Sequence, residues 1–152
     1  MRGFTLIELI ACLVILGILA ALAGPRFVGT QPFDQRGYAD ELLAGLRYAE
    51  AVAVASGCNV SFHVDAAGYS ANQRAAAAAG NTCAAAGAYS NPVMRGDGAP
   101  LAGTPPSDAN VAAGGTVIFG ASGQVTNPPA PTLVIGPFTL TVDPVSGFVT
   151  EQ

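Results

Sequence analysis

Few residues of this 152-residue chain have side chains suited to chemistry, and their spacing limits what they could do. Glu8 is the sole charge in a 20-residue apolar run from Phe4 to Ala23. A carboxylate in such a run is costly to hold in lipid, so it normally has a partner and a purpose. His63 is the only histidine, and there is no Cys-x-x-Cys pair, so no zinc site has enough ligands. His63 alternates with apolar neighbours, which reads as an exposed or edge strand residue rather than a base or ligand. Gly120-Ala121-Ser122-Gly123 lacks the spacing of a nucleophile elbow and reads as a tight turn. Gly96-Asp97-Gly98 has neither the lysine nor the strand–helix context of a phosphate loop. Asp65, Asp97, Asp108 and Asp143 are scattered loop acids, not a metal cluster. Asn59-Val60-Ser61 matches a glycosylation sequon but carries little weight without further context. The inventory therefore predicts no catalytic residue, no metal, no cofactor and no enzyme.

The chemistry that remains is that of cysteine and of charge. Cys12 lies in the apolar run and reads as a small packing or lipid-facing residue. Cys58 and Cys83 are the only cysteines outside it, in a part of the chain that the N-terminal segment would deliver to an oxidising compartment. A disulfide between them is expected; it would close a loop of roughly 25 residues and contribute ~3–4 kcal/mol on the chain-entropy model. Six Arg, no Lys and ten acids give a net charge of −4, with no electrostatic footprint for nucleic acid or anionic lipid.

The elements that position these residues begin with the apolar run itself. Twenty residues at ~1.5 Å each span ~30 Å, the thickness of a bilayer core. A secretory signal cut after Ala21-Leu22-Ala23, or an anchor that is never cut, fits the same length and hydropathy. Gly24-Pro25 predicts a kink, and Gln31-Pro32 a second break. Asp34 is the expected N-cap of the next helix. Tyr38, Leu42, Leu46, Ala49 and Ala53 form its apolar face, widened by Leu43, Val52 and Val54. Arg47 and Glu50 are spaced to pair at i,i+3, and Gly57 is the expected C-cap.

From Asn59 the period changes to two. Val60, Phe62 and Val64 alternate with Ser61, His63 and Asp65, and Ala66-Ala67-Gly68 turns the chain into Tyr69–Asn72 as a hairpin. Gln73 to about Ala88 and Gly96–Gly115 are expected as loops. Further strands are expected at 116–119, 133–135, 138–142 and 148–150, with Gln124–Thr126 after the Gly120–Gly123 turn. The order predicts an α+β fold: a long N-terminal helix, kinked near Pro25 and Pro32, whose C-terminal half packs on an antiparallel sheet.

Gly3-Phe4-Thr5-Leu6-Ile7-Glu8, followed by the apolar run, resembles the class III leader of type IV pilins and type II secretion pseudopilins. The resemblance implies a leader of residues 1–3, a transmembrane and assembly helix over 4–24, and a periplasmic pilin-like domain over 25–152. It implies cleavage after Gly3 by a prepilin peptidase, methylation of the new terminus Phe4, an assembly role for Glu8 and a helix-breaking role for Pro25. Met1-Arg2-Gly3 is a short leader with one positive residue. Leu42–Cys58, Phe119–Gly123 and Val145–Val149 are similar to minor pilins, above all those of mannose-sensitive haemagglutinin pili and the minor pseudopilin of type II secretion.

A physical role for Glu8 follows alongside the resemblance. Cutting after Gly3 leaves an amine on Phe4, ~6 Å of helical rise from Glu8. When helices bundle with an axial stagger, Glu8 of one subunit can meet the Phe4 amine of its neighbour, and misregistered pairs leave two buried charges unpaired. Snorkelling of Glu8 to the headgroups is the plainer alternative.

The chain is thus expected to be a minor pilin that assembles into a type IV pilus, with a minor pseudopilin of type II secretion as the alternative. The implied partners are other pilins or pseudopilins, the prepilin peptidase, the inner-membrane assembly platform and the membrane. The implied location is the bacterial inner membrane, with the body in the periplasm, and then the filament. A DNA-uptake minor pilin would need a basic cluster that the chain lacks, and a secreted periplasmic binding domain would begin at Gly24.

Overall fold

The four-, four-, three- and four-residue spacing from Tyr38 to Ala53 becomes the buried face of a 26-residue helix in the computed structural model. That model describes residues 5–23, 31–74, 83 and 86–152, divided between two compact units, Met1–Pro32 and Phe33–Gln152. The arrangement is α+β: an N-terminal helix, α1 (Leu6–Ala23), and a second helix, α2 (Gln31–Ser56), packed on antiparallel sheets.

Helix α2 begins where a break was expected. Pro32 is its second residue, because proline in a first turn gives up a donor that would be unpaired anyway. Asp34 is therefore not the cap; it lies inside the first turn, where its charge complements the helix dipole. Pro25 lies outside the described residues. Tyr38, Leu42, Leu46, Ala49 and Ala53 are buried, and Leu43 and Val52 are partly so. Val54 does not widen this stripe: it is 51% exposed, about 100° round the helix from Ala53. Gly57, at φ 65°, supplies the left-handed residue that closes the helix. Cys58 follows at once and is disulfide-bonded to Cys83, with Cα atoms 5.3 Å apart.

Strands β1 (Val60–Asp65) and β2 (Gly68–Arg74) form the expected hairpin, in register Val60↔Gln73 to Asp65↔Gly68. Asp65 Oδ1 accepts from the backbone N–H groups of Ala67 at 2.8 Å and Gly68 at 3.0 Å, which fixes the turn. Gln73 and Arg74, expected in a loop, continue β2, while 75–82 and 84–85 lie outside the described residues. Strands β3 (Tyr89–Pro92) and β4 (Ala102–Gly103) both pair with β2. Strand β5 (Val111–Ala113) pairs with β7 (Leu133–Ile135), and β6 (Gly115–Phe119) with β1. Strands β8 (Phe138–Val142) and β9 (Val149–Glu151) complete the body.

One sheet was expected, and the described residues form two. The first runs β3-β2-β1-β6, with β4 also on β2, and the second runs β5-β7-β8-β9. The expected 96–115 loop holds β4 and β5, each too short to show a period of two. The chain changes sheets at Gly114, between β5 and β6, where a Cβ would run into the backbone carbonyl of Val64. Glycine is what lets the two strands follow each other without a connecting loop.

Both sheets feed one core. Phe62, Val64 and Val117 from the first and Leu133, Ile135, Leu140 and Val149 from the second are buried with the inner face of α2. Arg36 fastens the start of α2 to the second sheet, with Nε 3.3 Å from Asp40 Oδ2, Nη1 2.9 Å from Glu151 Oε1 and the guanidinium 5.2 Å from the Phe138 ring centroid. The expected Arg47–Glu50 pair does not form; Arg47 instead lies 6.0 Å from the ring centroid of Phe148. The outer edge of β6 is covered by the segment that follows it: Thr126 N donates to Ile118 O at 2.8 Å, and the Asn127 side chain takes the two groups beside it. Asn127 Oδ1 accepts from Ile118 N at 2.8 Å, and its Nδ2 donates to Thr116 O at 2.8 Å.

Three rings stack beneath α2: Phe62 on Tyr69 at 5.3 Å, and Tyr69 tilted to Tyr38 at 6.4 Å. Burial, then the charges of Glu41 and Asp65, push the Tyr38 phenol up to about 12. Burial and the hydrogen bond to Glu41 push Tyr69 well above the usual phenol value. A raised folded value means stability that is complete below the unfolded value of 10.0 and lost as pH rises through the folded one. Alkaline titration is expected to show two of the four tyrosines ionising late, in step with unfolding above pH 10. Four equivalent tyrosinate transitions in a still-folded body would contradict this.

Candidate assembly site

Thr5 starts α1 by capping it. The backbone N–H of Glu8 donates to Thr5 O at 3.1 Å and Thr5 Oγ1 at 3.4 Å, and Leu9 N donates to Thr5 O at 3.2 Å. Thr5-Leu6-Ile7-Glu8 has the spacing of a capping box, a signal that was readable in the sequence and went unread. The cap fixes Glu8 in the first turn, where the partial positive charge of the helix end favours a carboxylate. Among the described residues, that carboxylate has no ion pair and no hydrogen bond.

Around Glu8 the helix is apolar on every side. The large apolar side chains from Leu6 to Leu19 are between 46% and 78% exposed, and Cys12 is exposed and unpaired. A helix that is hydrophobic all round is stable only when covered on all sides, by lipid or by other helices. Among the described residues no helix is long and apolar enough to cross a membrane. The expected 4–24 span is described only over Leu6–Ala23, 18 residues or ~27 Å of rise, short of a ~30 Å hydrocarbon core. Gly3 and Phe4, the expected processing residues, lie outside the described residues.

The structure also brings together residues that sequence reasoning kept apart. His63 is on β1, an inner strand rather than an edge, and is exposed. Its Nδ1 lies 2.8 Å from Thr116 Oγ1 and its Nε2 3.3 Å from Asp65 Oδ2. Thr116 reaches His63 because β6 pairs with β1 in register, a long-range fact with no local signature. Hydroxyl, imidazole and carboxylate thus line up, with the His63 and Asp65 side chains about half exposed on the open sheet face. There bulk water, rather than fixed donors in a dry pocket, would meet any developing charge, so the contacts act as a cross-strand tie. Backbone hydrogen bonds from Ala67 and Gly68, with a further contribution from His63, hold the Asp65 carboxyl below the usual value. Among the described residues no group of three His, Cys, Asp or Glu side chains is arranged to hold a metal.

Known proteins match both ends of this geometry. The profile of the prokaryotic N-terminal methylation motif matches residues 1–24, and that of type II transport protein GspH matches residues 38–149. A 52-residue stretch is 46% identical to the type IV narrow pilus major component PilA5 of Thermus thermophilus. It covers 34% of this chain and 45% of that protein, so the chain spans less than half the length of this curated relative. No solved structure matches the chain. A capped apolar helix with one carboxylate, a helix-on-sheet body and a body profile that spans most of the chain lead to one assignment: the chain belongs to the GspH family of the pilins and pseudopilins.

Proposed function

We propose that the chain is a filament subunit of the pseudopilus type. It is cut after Gly3 by a prepilin peptidase, methylated on Phe4, and held in the bacterial inner membrane with its body in the periplasm. The assembly platform then draws it into a filament with other pilins or pseudopilins. One observation carries this reading: α1 is apolar on all sides and bears in its first turn a single carboxylate with no partner among the described residues. Such a helix needs cover on every side, and a bundle of like helices supplies it. The apolar run in the sequence extends from Phe4, and its 20 residues reach ~30 Å when helical. The GspH profile over the body supports a secretion pseudopilus. The identity with a type IV pilus component supports a surface pilus as the second reading, and that relative's role as a major component supports more than one copy per filament.

In this reading the subunit is structural and has no catalytic activity of its own. Its net charge of −4 also argues against nucleic acid as the partner. N-terminal mass spectrometry of the chain from its native host tests the proposal. The expected terminus is methylated Phe4, and Gly24 as the terminus would overturn it. Deletion of the gene separates the two readings: lost protein secretion with intact pili supports the pseudopilus, and the reverse supports the pilus.

A further inference from the structure

The body carries a groove and a protrusion whose chemistry matches. Glu41, Ala44, Gly45 and Tyr48, at i, i+3, i+4 and i+7 of α2, form one wall of a groove of about 320 Å³. Its floor is apolar, with Leu101 and the Tyr69 ring both buried. Its rim carries both charges. Glu41 Oε1 accepts from the Tyr69 hydroxyl at 2.7 Å, while the Arg95 guanidinium has no ion pair or hydrogen bond among the described residues.

The protrusion is the turn between β8 and β9. Asp143 Oδ1 accepts from Val145 N at 3.0 Å, Ser146 N at 2.7 Å and Ser146 Oγ at 2.8 Å. The turn so fixed presents Val145, 82% exposed, and Phe148, 58% exposed beside Arg47. The apolar tip is thus flanked by the Asp143 carboxylate, whose Oδ2 makes no hydrogen bond among the described residues, and the Arg47 guanidinium, with the Glu50 carboxyl against Gly147 on the side toward α2.

We propose that the Val145–Phe148 turn of one copy docks in the Glu41–Arg95 groove of a second copy of this chain, head to tail. Val145 fills the apolar floor, Asp143 faces Arg95, and Arg47 faces Glu41. Groove and turn lie on opposite flanks of α2, since Glu41, Ala44 and Tyr48 point one way and Arg47, Glu50 and Val54 the other. One copy therefore cannot satisfy itself, and two copies leave a groove and a turn unused. A contact between two different patches propagates, and where its rotation does not close it gives an open helical array. The inference rests on the filament reading and names a contact between bodies within it.

The test uses the full-length chain carrying Cys12→Ser, Ala44→Cys and Val145→Cys, expressed in its native host and oxidised in the sheared filament fraction. A reducible ladder of dimers, trimers and larger species on a denaturing gel is expected, with neither single-cysteine variant forming one. Adding Arg95→Glu, which sets two acids face to face, should weaken the ladder by roughly tenfold or more. Monomer alone in the filament fraction overturns the contact and leaves the filament reading standing. Dimers that go no further overturn head-to-tail docking, and a ladder indifferent to Arg95→Glu overturns the groove as its seat. Absence of the chain from the filament fraction overturns both readings.

Discussion

Glu8→Gln is expected to leave cleavage after Gly3 and methylation of Phe4 intact while cutting recovery in sheared filaments about a hundredfold. The substitution keeps the shape of the side chain and removes only its charge. In the membrane an unassembled subunit has little to lose, because Glu8 sits in the first turn of α1 near the boundary of the apolar run. In a helix bundle the amine of a neighbouring Phe4 would be left buried without its partner, which costs about 3 kcal/mol or more. The readout is the ratio of subunit in the filament fraction to subunit in the membrane, with mass spectrometry confirming the processed terminus. Equal ratios for the two proteins would remove Glu8 from any role in register.

Replacing Cys58 and Cys83 together by serine is expected to destabilise the body by ~3–4 kcal/mol, the chain-entropy value for a loop of this size. The bond ties the residue after the α2 cap to a point 25 residues on. The intervening hairpin is also held by pairing of β1 with β6 and of β2 with β3 and β4, so the variant is expected to fold, with the lost stability reporting the loop constraint. Thermal unfolding should fall by roughly 10–15 °C, and reductant should reproduce the shift in the parent chain but not in the variant. A shift of no more than ~2 °C would mean that the loop is organised without the bond.

The parts of this fold that were legible in the sequence are those whose burial repeats locally. The α2 stripe, the β1–β2 hairpin and strands β6 and β8 each follow one period over several residues, whereas the three-residue β7 and β9 were marked by β-branched apolar residues between turn signals. The division into two sheets was not legible, because it depends on which strand β5 and β6 find across the body, and only Gly114 marks the change. Strand β4 has two residues and β5 three, so no alternation can declare them; pairing with β2 and β7 creates them. Arg47 found Phe148 rather than Glu50 because a ring brought in by β9 offers more contact than a solvated i,i+3 pair. At the assembly site the lone acid and its spacing were legible. The Thr5 cap was written there too, although a search for membrane length passes over a polar residue at the start of a helix. The His63–Thr116 contact had no local trace at all.

The Asn127 side chain has a consequence for how such a protein can polymerise. Its amide satisfies Ile118 N and Thr116 O, two of the backbone groups that an incoming strand would otherwise seek. In the proposed filament, with bodies held side by side, ordered assembly would compete with a second route, strand addition, which tends toward fibres that do not reverse. By occupying the place of a neighbour's peptide group, Asn127 closes the second route along this edge of the first sheet. At this edge, ordered assembly of the proposed filament is thereby kept apart from strand addition.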